Sequence, residues 1–437
     1  MTRRPLILAL LPAVLAAPLS AQDARVDQAV ARVTPQITEI RHQIHQNPEL
    51  GNREFETARL VAARLRGLGF RVDTGIAYTG VVAVLRGGRP GPVVAVRADM
   101  DALPVTEDTP FPWKSTKRAT YLGQDVGVSH ACGHDIHVAV ALGVAEVLAG
   151  MKRDLPGTVK FIFQPAEEGP PPGERGGAPL MVEQGALENP RPEAIFGLHA
   201  AAALPVGKIG VTPGPALAAS DHFRITIRGR QTHGATPELG IDPVVMASQV
   251  VLALQTIRSR NLPPREPSVV TVGIVRGGTR FNIIPGEVLL EGTVRTFGVE
   301  AQNTVERRMK EIATGITAAG GGTAEVEYTR VVPVTINNVP LTRRMTPSLE
   351  RVVGRDHVVE LPPWMPAEDF SYFANVVPGL YFRLGTTKSG VASGDHHTPT
   401  FQADDSAIPI GIKAMTAVVL DYLRGSGIGV RGSGTNP

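Results

Sequence analysis

Residues 130–151 read HACGHDIHVAVALGVAEVLAGM, in which histidines and the chain's single cysteine lead directly into an apolar stretch. The regularly spaced apolar residues of this stretch are Val138, Leu142, Ala145 and Leu148. This spacing predicts a helix over Asp135–Met151, with Cys132 and His134 at its start. Thiolate and neutral imidazole are the usual ligands of zinc and similar ions, and the positive end of a helix dipole favours a thiolate. The segment therefore predicts one corner of a metal site.

The surrounding sequence alternates between short apolar runs and helical patterns. The runs bounded by turn residues are Gly80–Leu85, Pro92–Ala98, Thr158–Gln164, Ala194–His199 and Gly379–Leu384. Helical patterns cover Asp27–Leu68 and Ser406–Leu423. This alternation predicts an α/β fold with a mixed, largely buried sheet flanked by helices. Because 437 residues are too many for one ordinary core, we expect two domains.

A different pattern occupies residues 216–332. Its predicted strands and helices, in chain order, are His222–Arg228, Asp242–Arg260, Ser268–Val275, Val288–Thr296, Val299–Ala319 and Thr323–Val332. The resulting β-α-β-β-α-β order is that of the ferredoxin-like unit. Helix–strand alternation resumes afterwards, so this unit is predicted to be inserted into a larger domain formed by residues 22–215 and 333–425.

Residues 1–21 have the features of a secretory signal peptide. Two arginines precede an apolar run over residues 6–19, and Ser20 and Ala21 supply small residues for cleavage. A buried N-terminal helix is the alternative interpretation. We expect the mature protein to be secreted or periplasmic, and we expect the tail 426–437 to be disordered.

Charge and cysteine content exclude several classes of function. Loss of residues 1–21 removes two of 44 basic residues and none of 41 acidic residues, which leaves a net charge of +1. A nearly neutral chain without a basic stripe is not expected to bind nucleic acid, and no apolar run predicts a membrane span. A single cysteine forms no internal disulfide, and an exported thiol is a liability unless it is buried or bound to metal.

Carboxylates and histidines follow several predicted strands, where the active sites of α/β sheets form. These residues are Asp99, Glu167, Glu168, His199 and, in a later loop, the pair His396 and His397. Asp99 could orient a metal-bound histidine from behind. Of the paired glutamates, one could bind metal and the other could accept a proton from water. Each motif alone is also explained by an ordinary turn, a solvated acidic pair or a packed histidine, but their joint occurrence favours a metal site.

Several motifs together resemble a family of dinuclear metallopeptidases and amidohydrolases. The motifs are His45-Gln-Asn-Pro-Glu49, Cys132-Gly-His-Asp135, Pro165-Ala-Glu-Glu-Gly169, Glu368-Asp-Phe370 and His397-Thr-Pro399. Over nearly the whole mature chain, the sequence resembles the branch of aminoacylases, hippurate hydrolases and indole-acetyl-amino-acid hydrolases, which is related to glutamate carboxypeptidases. The resemblance implies a zinc-peptidase-like catalytic domain and makes residues 216–332 a lid and dimerisation domain.

The resemblance also implies roles for individual residues. It makes the ligands of two divalent ions Cys132, His134, Glu168, His199 and His397. It makes Glu167 the general base and Asp99 the residue that orients a ligand. In the lid, His233 would reach a partner subunit's active site and polarise the scissile carbonyl, while Asn282 and Arg295 would hold the substrate. These roles imply a homodimer, and the ligand set favours zinc or manganese, although nickel and cobalt also fit.

The expected reaction is metal-dependent hydrolysis of the amide bond of an N-acyl amino acid with an acetyl, benzoyl or similar group. A dipeptidase or another metallo-exopeptidase is the alternative within the same chemistry. Two further alternatives are a solute-binding or scaffold protein that kept the fold, and a hydrolase with Cys132 as nucleophile and His134 as its base. Two segments depart from the family pattern and are expected to border the substrate pocket: the Pro/Gly-rich loop Gly169–Gly177 and the long stretch between Asp101 and His130.

Overall fold

A computed structural model of the chain describes residues 19–425, with side chains from Asp23 onward. The predicted tail 426–437 and nearly all of the predicted signal peptide 1–21 lie outside the described residues. Within residues 19–425, no helix is both long enough and apolar enough to cross a membrane.

Helices and strands alternate along most of the described chain. The α-helices of residues 19–425 are α1 (Leu19–Gln46), α2 (Phe55–Gly67), α3 (His134–Gly150), α4 (Gly177–Glu183), α5 (Pro243–Thr256), α6 (Val299–Ala319), α7 (Val339–Val353), α8 (Phe370–Ala374) and α9 (Ala407–Leu423). The strands of the same range are β1 (Arg71–Ile76), β2 (Gly80–Arg86), β3 (Arg89–Asp99), β4 (Arg118–Tyr121), β5 (Gln124–Gly127), β6 (Pro156–Gln164), β7 (Ala194–Pro205), β8 (Ile209–Val211), β9 (Gly214–Leu217), β10 (Ala219–Arg228), β11 (Thr232–His233), β12 (Ser268–Gly277), β13 (Ile283–Ile284), β14 (Glu287–Thr296), β15 (Thr323–Val332), β16 (Thr335–Asn337), β17 (Val358–Glu360) and β18 (Gly379–Thr387). Short 3₁₀ or π-helical turns add Pro237–Leu239, Ile257–Asn261 and Arg355–His357.

The larger part of the chain is built on a mixed eight-stranded sheet with the order β1-β2-β6-β3-β7-β18-β8-β17. Its central strands β6, β3, β7 and β18 are parallel. One face packs against α1, α3 and α9, and the other face packs against α4 and α8. Burial on both faces explains why the central strands are almost continuously apolar. The predicted α/β fold with a mixed sheet is confirmed.

A second sheet follows β9 in the chain and precedes β16. It is antiparallel, has the strand order β12-β14-β10-β15, and shares its own apolar core with α5 and α6. Its main elements follow the chain order β10-α5-β12-β14-α6-β15. Both α6 and β15 have the predicted bounds, because their apolar spacing is regular and Gly320–Gly322 separates them.

The single helix predicted over Asp27–Leu68 is wrong, because the chain forms α1 and α2 there with residues 47–54 between them. Pro48 lacks an amide hydrogen for a helix, and Asn52 adopts a left-handed conformation with φ of 60°. Glu54, within the predicted helix, directly precedes α2 in the structure and is fully buried. Strand β1, the hairpin β4–β5 and helix α4 are too short to give a clear periodic signal, and they were not predicted.

Candidate metal centre

The carboxyl ends of the parallel strands bring acidic and histidine residues to one edge of the large sheet. Strand β3 ends at Asp99, β6 ends shortly before Glu167, and β7 contains His199. Since β6, β3 and β7 are neighbours, these positions meet at the same edge. The start of α3 adds His134.

Gly133 allows α3 to approach this edge. Its φ of 91° lies in the left-handed region, and it directly precedes the helix. A Cβ atom at this position would lie only 2.7 Å from the Cβ of Ala200 on β7. Glycine therefore lets the loop with Cys132 and the helix start with His134 pack against β7.

The structure brings the five predicted ligands and the predicted base together. In three overlapping groups, the candidate ligand atoms all lie within 4.8 Å of one another: Cys132, His134 and His199; Cys132, Glu168 and His397; and His134, Glu167 and Glu168. The Nε2 atom of His397 lies 3.1 Å from Oε1 of Glu168. A compact set of thiol, imidazole and carboxylate atoms fits divalent metal ions.

Hydrogen bonds fix the orientation of two of these imidazoles. The Nδ1 atom of His134 donates to the carbonyl of Asp101 at 2.9 Å, and that of His199 donates to the carbonyl of Ala200 at 2.6 Å. This network places a proton on Nδ1 of both rings, so Nε2, which faces the cluster, is the nitrogen that could bind a metal. Nε2 of His134 is buried and makes no hydrogen bond among the described residues, whereas the buried Oε1 of Glu168 has the Nε2 atom of His397 at 3.1 Å. Because buried polar atoms are normally satisfied, Nε2 of His134 fits the role of a metal ligand.

Negative charge dominates the cluster. Although burial opposes the effect, Asp99 and Asp101 raise the pKa of His134 to about 10. Burial, and then the carboxylate of Glu368, raise the pKa of Glu167 well above its ordinary value. Groups that hold protons this tightly sit in a field that attracts cations.

The Cys132 thiol is buried beside two histidines. Its Sγ atom lies 3.6 Å from Nε2 of His199 and 3.7 Å from Nδ1 of His396. Burial, and then the carboxylate of Glu168, raise the pKa of the thiol well above its ordinary value. The expected stabilisation of the thiolate by the helix dipole is therefore outweighed, and a divalent ion would be needed to ionise the thiol. The raised pKa also speaks against Cys132 as a nucleophile with His134 as its base.

Asp99 lies beside the predicted ligand His134, with its Oδ2 atom 3.9 Å from Nε2 of that ring, but its hydrogen bonds go to other residues. Its Oδ1 accepts a hydrogen bond from Nδ1 of His137 at 2.5 Å, and its Oδ2 accepts one from Arg97 at 2.6 Å. His137 is not a predicted ligand, and its Nε2 accepts a hydrogen bond from a backbone amide. A ligand histidine is instead oriented by Asp101, whose Oδ1 lies 3.2 Å from Nδ1 of His134. The Asp99-Met-Asp101 motif contains two aspartates, so the sequence offered Asp101 as a second candidate for orienting a ligand histidine.

The sequence also did not predict a buried ionic network that lies beside Glu167. Nη2 of Arg97 lies 2.9 Å from Oε1 of Glu368, whose Oε2 accepts a hydrogen bond from the hydroxyl of Tyr381 at 2.6 Å. Oxygen atoms of Glu368, Asp99 and Glu167 lie within 4.8 Å of one another. The motif Glu368-Asp-Phe370 had contributed to the resemblance, but no role had been assigned to it.

The three predicted lid residues lie apart from this cluster. Within residues 19–425, no hydrogen bond or ion pair joins His233, Asn282 or Arg295 to it. His233 and Asn282 lie beside each other where β11 pairs with β13. Nδ1 of His233 accepts a hydrogen bond from a backbone amide at 3.0 Å, so the proton of the neutral ring lies on Nε2 of this exposed side chain. Arg295 donates to the hydroxyl of Thr293 at 2.7 Å and has no acidic ion-pair partner in the described part of the chain.

Comparisons with known proteins agree with this geometry. A family model described as "Peptidase family M20/M25/M40" matches residues 95–421. The "IAA-amino acid hydrolase ILR1-like 2" of Arabidopsis thaliana is 39% identical over 392 residues, which are 89% of this chain and 85% of that protein. "Thermostable carboxypeptidase 2" of Saccharolobus solfataricus is 36% identical over 90% of this chain and 97% of that protein. "N-acetyl-L-cysteine deacetylase" of Bacillus subtilis is 37% identical over 85% of each chain.

A solved structure supports the same relationship. The YXEP protein of Bacillus subtilis, described as a dinuclear metal binding peptidase from the M20 family, superposes with a TM-score of 0.76. It is 33% identical, and the match covers 90% of this chain and 99% of that chain. Histidine, cysteine and carboxylate side chains also meet at the sheet edge. Together with this geometry, these matches show that the chain belongs to peptidase family M20/M25/M40, a family of metal-dependent hydrolases.

Proposed function

We propose that the protein hydrolyses the amide bond of N-acyl amino acids and releases a carboxylic acid and a free amino acid. The observation that carries this proposal is the position of Glu167 among the five predicted ligands, with its Oε2 only 3.8 Å from Nε2 of His134. The names of two relatives, an N-acetyl-L-cysteine deacetylase and an IAA-amino acid hydrolase, support this substrate class.

The residues of the cluster fit two divalent ions, which we propose to be zinc or manganese, with nickel or cobalt as other fitting ions. The residues that would hold them are Cys132, His134, Glu168, His199 and His397. When bound, such ions lower the pKa of water from about 15.7 toward roughly 7. Glu167 would accept the water's proton and deliver it to the leaving amine.

Residues 216–332 would act as a ferredoxin-like lid inserted between residues 22–215 and 333–425. The Nε2–H group of His233 would donate a hydrogen bond to the scissile carbonyl and stabilise the oxyanion. Arg295, which lacks an acidic partner among the described residues, suits a substrate carboxylate, and Asn282 would add a hydrogen bond. Because no hydrogen bond or ion pair within residues 19–425 joins these side chains to the cluster of their own chain, we infer that a homodimer places His233 in the partner subunit's site.

The two segments that depart from the family pattern would shape the substrate pocket. The amide of Asp108 donates to the carbonyl of Pro399 at 2.7 Å, so the stretch between Asp101 and His130 packs against the loop that carries His397. The Pro/Gly-rich loop begins one residue after Glu168. For the mature protein, the basic, apolar and small-residue pattern of residues 1–21 supports a secreted or periplasmic location.

A metallo-exopeptidase is the second candidate, and the carboxypeptidase relative favours it. The test is to compare N-acetyl amino acids, N-benzoyl amino acids and dipeptides as substrates of zinc-loaded and manganese-loaded protein, with and without a chelator. We expect the acylated amino acids to be hydrolysed fastest, with activity lost to the chelator and restored by metal. Faster cleavage of dipeptides would identify an exopeptidase. Chelator-resistant activity that is lost on thiol alkylation would identify Cys132 as the nucleophile, and binding without turnover would indicate a solute-binding or scaffold protein.

A further inference from the structure

The turn that carries Glu167 has an uncommon backbone conformation. Ala166, which directly precedes Glu167, has φ of 49°, in the left-handed region that side chains with a Cβ rarely adopt. Such a conformation persists only where surrounding contacts hold it. The contacts of the Ala166 backbone are therefore relevant to where Glu167 points.

Glu54 provides the contact at the amide of Ala166. Its Oε1 accepts hydrogen bonds from the amides of Ala166 at 2.8 Å and Asn52 at 3.1 Å. Its Oε2 lies 2.5 Å from the hydroxyl of Thr79, and the whole side chain is buried. Burial, and then the charge of Asp101, raise the pKa of Glu54 to about 8, so the group is mostly neutral at pH 7. It thus acts as a fixed acceptor more than as a charge.

The residues next to Glu54 support the rest of the same loop. A Cβ atom on Gly51 would lie 2.8 Å from the carbonyl oxygen of Gly169, so the two backbones are in close contact. The Nδ2 atom of Asn52 donates to Oε2 of Glu174 and to the carbonyl of Arg175, both at 3.0 Å. The segment Gly51–Glu54 therefore holds both the turn and the Pro/Gly-rich loop that follows it.

We propose that Glu54 is a positioning residue for hydrolysis, which fixes the turn Ala166–Glu168 through the Ala166 amide and so directs the carboxylate of Glu167. Within residues 19–425, Glu54 forms no hydrogen bond or ion pair with Glu167 or with the predicted ligands. Asp101 fastens the other side of the turn, because its Oδ2 accepts a hydrogen bond from the Glu168 amide at 2.9 Å. The inference rests on the proposed function, in which Glu167 is the general base.

Two substitutions test the length of the Glu54 side chain and its charge separately. Glu54→Asp keeps the carboxyl group but withdraws it by about 1.5 Å, one carbon–carbon bond, out of reach of the Ala166 amide. Glu54→Gln keeps both the reach and an acceptor oxygen, and it is neutral. We expect Glu54→Asp to lower kcat by about 10- to 100-fold, because small misplacements of catalytic groups are costly, with KM changed less than about 2-fold. We expect Glu54→Gln to stay within about 3-fold of wild type in kcat.

The matched control is Glu49→Asp, which shortens a glutamate of the same segment. Glu49 accepts hydrogen bonds at the start of α2, from Thr57, and does not contact the turn. We expect its kcat to equal that of wild type. Activity would be expressed per metal-loaded chain. A normal kcat for Glu54→Asp, or equal losses for the Asp and Gln variants, would overturn the proposal.

A second measurement does not depend on turnover. Hydrogen exchange of a peptide that spans residues 163–170 should be faster in Glu54→Asp than in wild type, and unchanged in Glu49→Asp. If Glu54→Asp does not fold, Thr79→Val removes the other anchor of the Glu54 carboxyl group, and we expect the same faster exchange with a kcat loss of about 3- to 10-fold. Unchanged exchange and kcat there would also overturn the proposal. Inactivity of the wild-type protein on N-acyl amino acids would refute the proposed function instead, while leaving the exchange result to judge Glu54.

Discussion

At the scale of single residues, a substitution of Glu167 distinguishes a role in proton transfer from a role in metal binding. Glu167→Gln preserves the size of the side chain but removes its ability to accept a proton. We expect kcat to fall by about 10²- to 10⁴-fold, the usual contribution of a general base, while two ions per chain remain bound. Steady-state kinetics and elemental analysis of the dialysed protein measure both quantities.

Glu39→Gln, at an exposed glutamate on α1, is a suitable control and should leave kcat unchanged. Nearly normal turnover in Glu167→Gln would place the base elsewhere. Loss of one ion would show that Glu167 is a ligand and not the base.

At the scale of secondary-structure elements, the approach of α3 to β7 decides whether the metal ligands meet. Gly133→Ala forces a Cβ into a left-handed position 2.7 Å from the Cβ of Ala200. We expect the free energy of unfolding to fall by about 1–3 kcal/mol and the metal affinity to fall with it, because Cys132 and His134 flank the substitution. Denaturant unfolding of the metal-free protein and competition with a metal-binding dye would measure these changes.

Gly150→Ala, at the other end of α3, is the matched control. Its φ is not in the left-handed region, and a Cβ there would meet no atom closer than 3.7 Å. We expect no loss of metal affinity. Equal effects of the two substitutions would show that the close contact with β7 is unimportant.

Strand β6 contains a buried lysine whose titration should affect stability. Lys160 donates to the carbonyls of Ala186 at 2.8 Å and Glu188 at 2.6 Å, and burial lowers its pKa to about 8. Between pH 8 and about 10.5, the folded state then binds fewer protons than the unfolded state, so this lysine makes the protein more stable as the pH rises. Metal-free wild type should gain stability relative to Lys160→Met over this interval. Parallel pH dependences of the two melting temperatures would refute the effect.

At the scale of the whole molecule, the proposed lid leaves an apolar surface exposed on α5 and on the neighbouring edge strand β12. Leu252 on α5 is 73% exposed, and Val275 on β12 is 63% exposed. A second copy of the chain would cover such a surface, as the proposed homodimer requires. We expect wild type to have the mass of a dimer in light scattering, and Leu252→Glu to have the mass of a monomer with a lower kcat, because His233 would no longer reach a partner's site.

Val376→Glu introduces the same charge at an exposed valine between α8 and β18, outside the proposed lid, and should leave both mass and activity unchanged. A monomeric wild-type protein with full activity would contradict the dimer and the role of His233 in a partner's site.

The sequence by itself determined the α/β class, most of the long elements and the residues that gather at the sheet edge. These features depend on local patterns: apolar periodicity, turn residues, and short motifs such as Cys132-Gly-His134 and Glu167-Glu168. The break between α1 and α2 was missed, because the segments on both sides of it are helical and only the short stretch with Pro48 separates them.

Only the tertiary structure decided how the groups around the ligands divide their roles. Asp99 and Asp101 are alike in sequence, but Asp99, the last residue of β3, bonds to His137, whereas Asp101, just beyond the strand, contacts His134. The hydrogen bond between Glu54 and Ala166 joins residues 112 positions apart, and no local pattern can indicate it. The pKa of the Cys132 thiol likewise depends on burial and on carboxylates from distant segments, which outweigh the helix dipole that the sequence suggested. Long-range packing sets these contacts. The sequence could therefore predict which residue types bind the metal, but not the hydrogen bonds and the burial that position them and shift their pKa values.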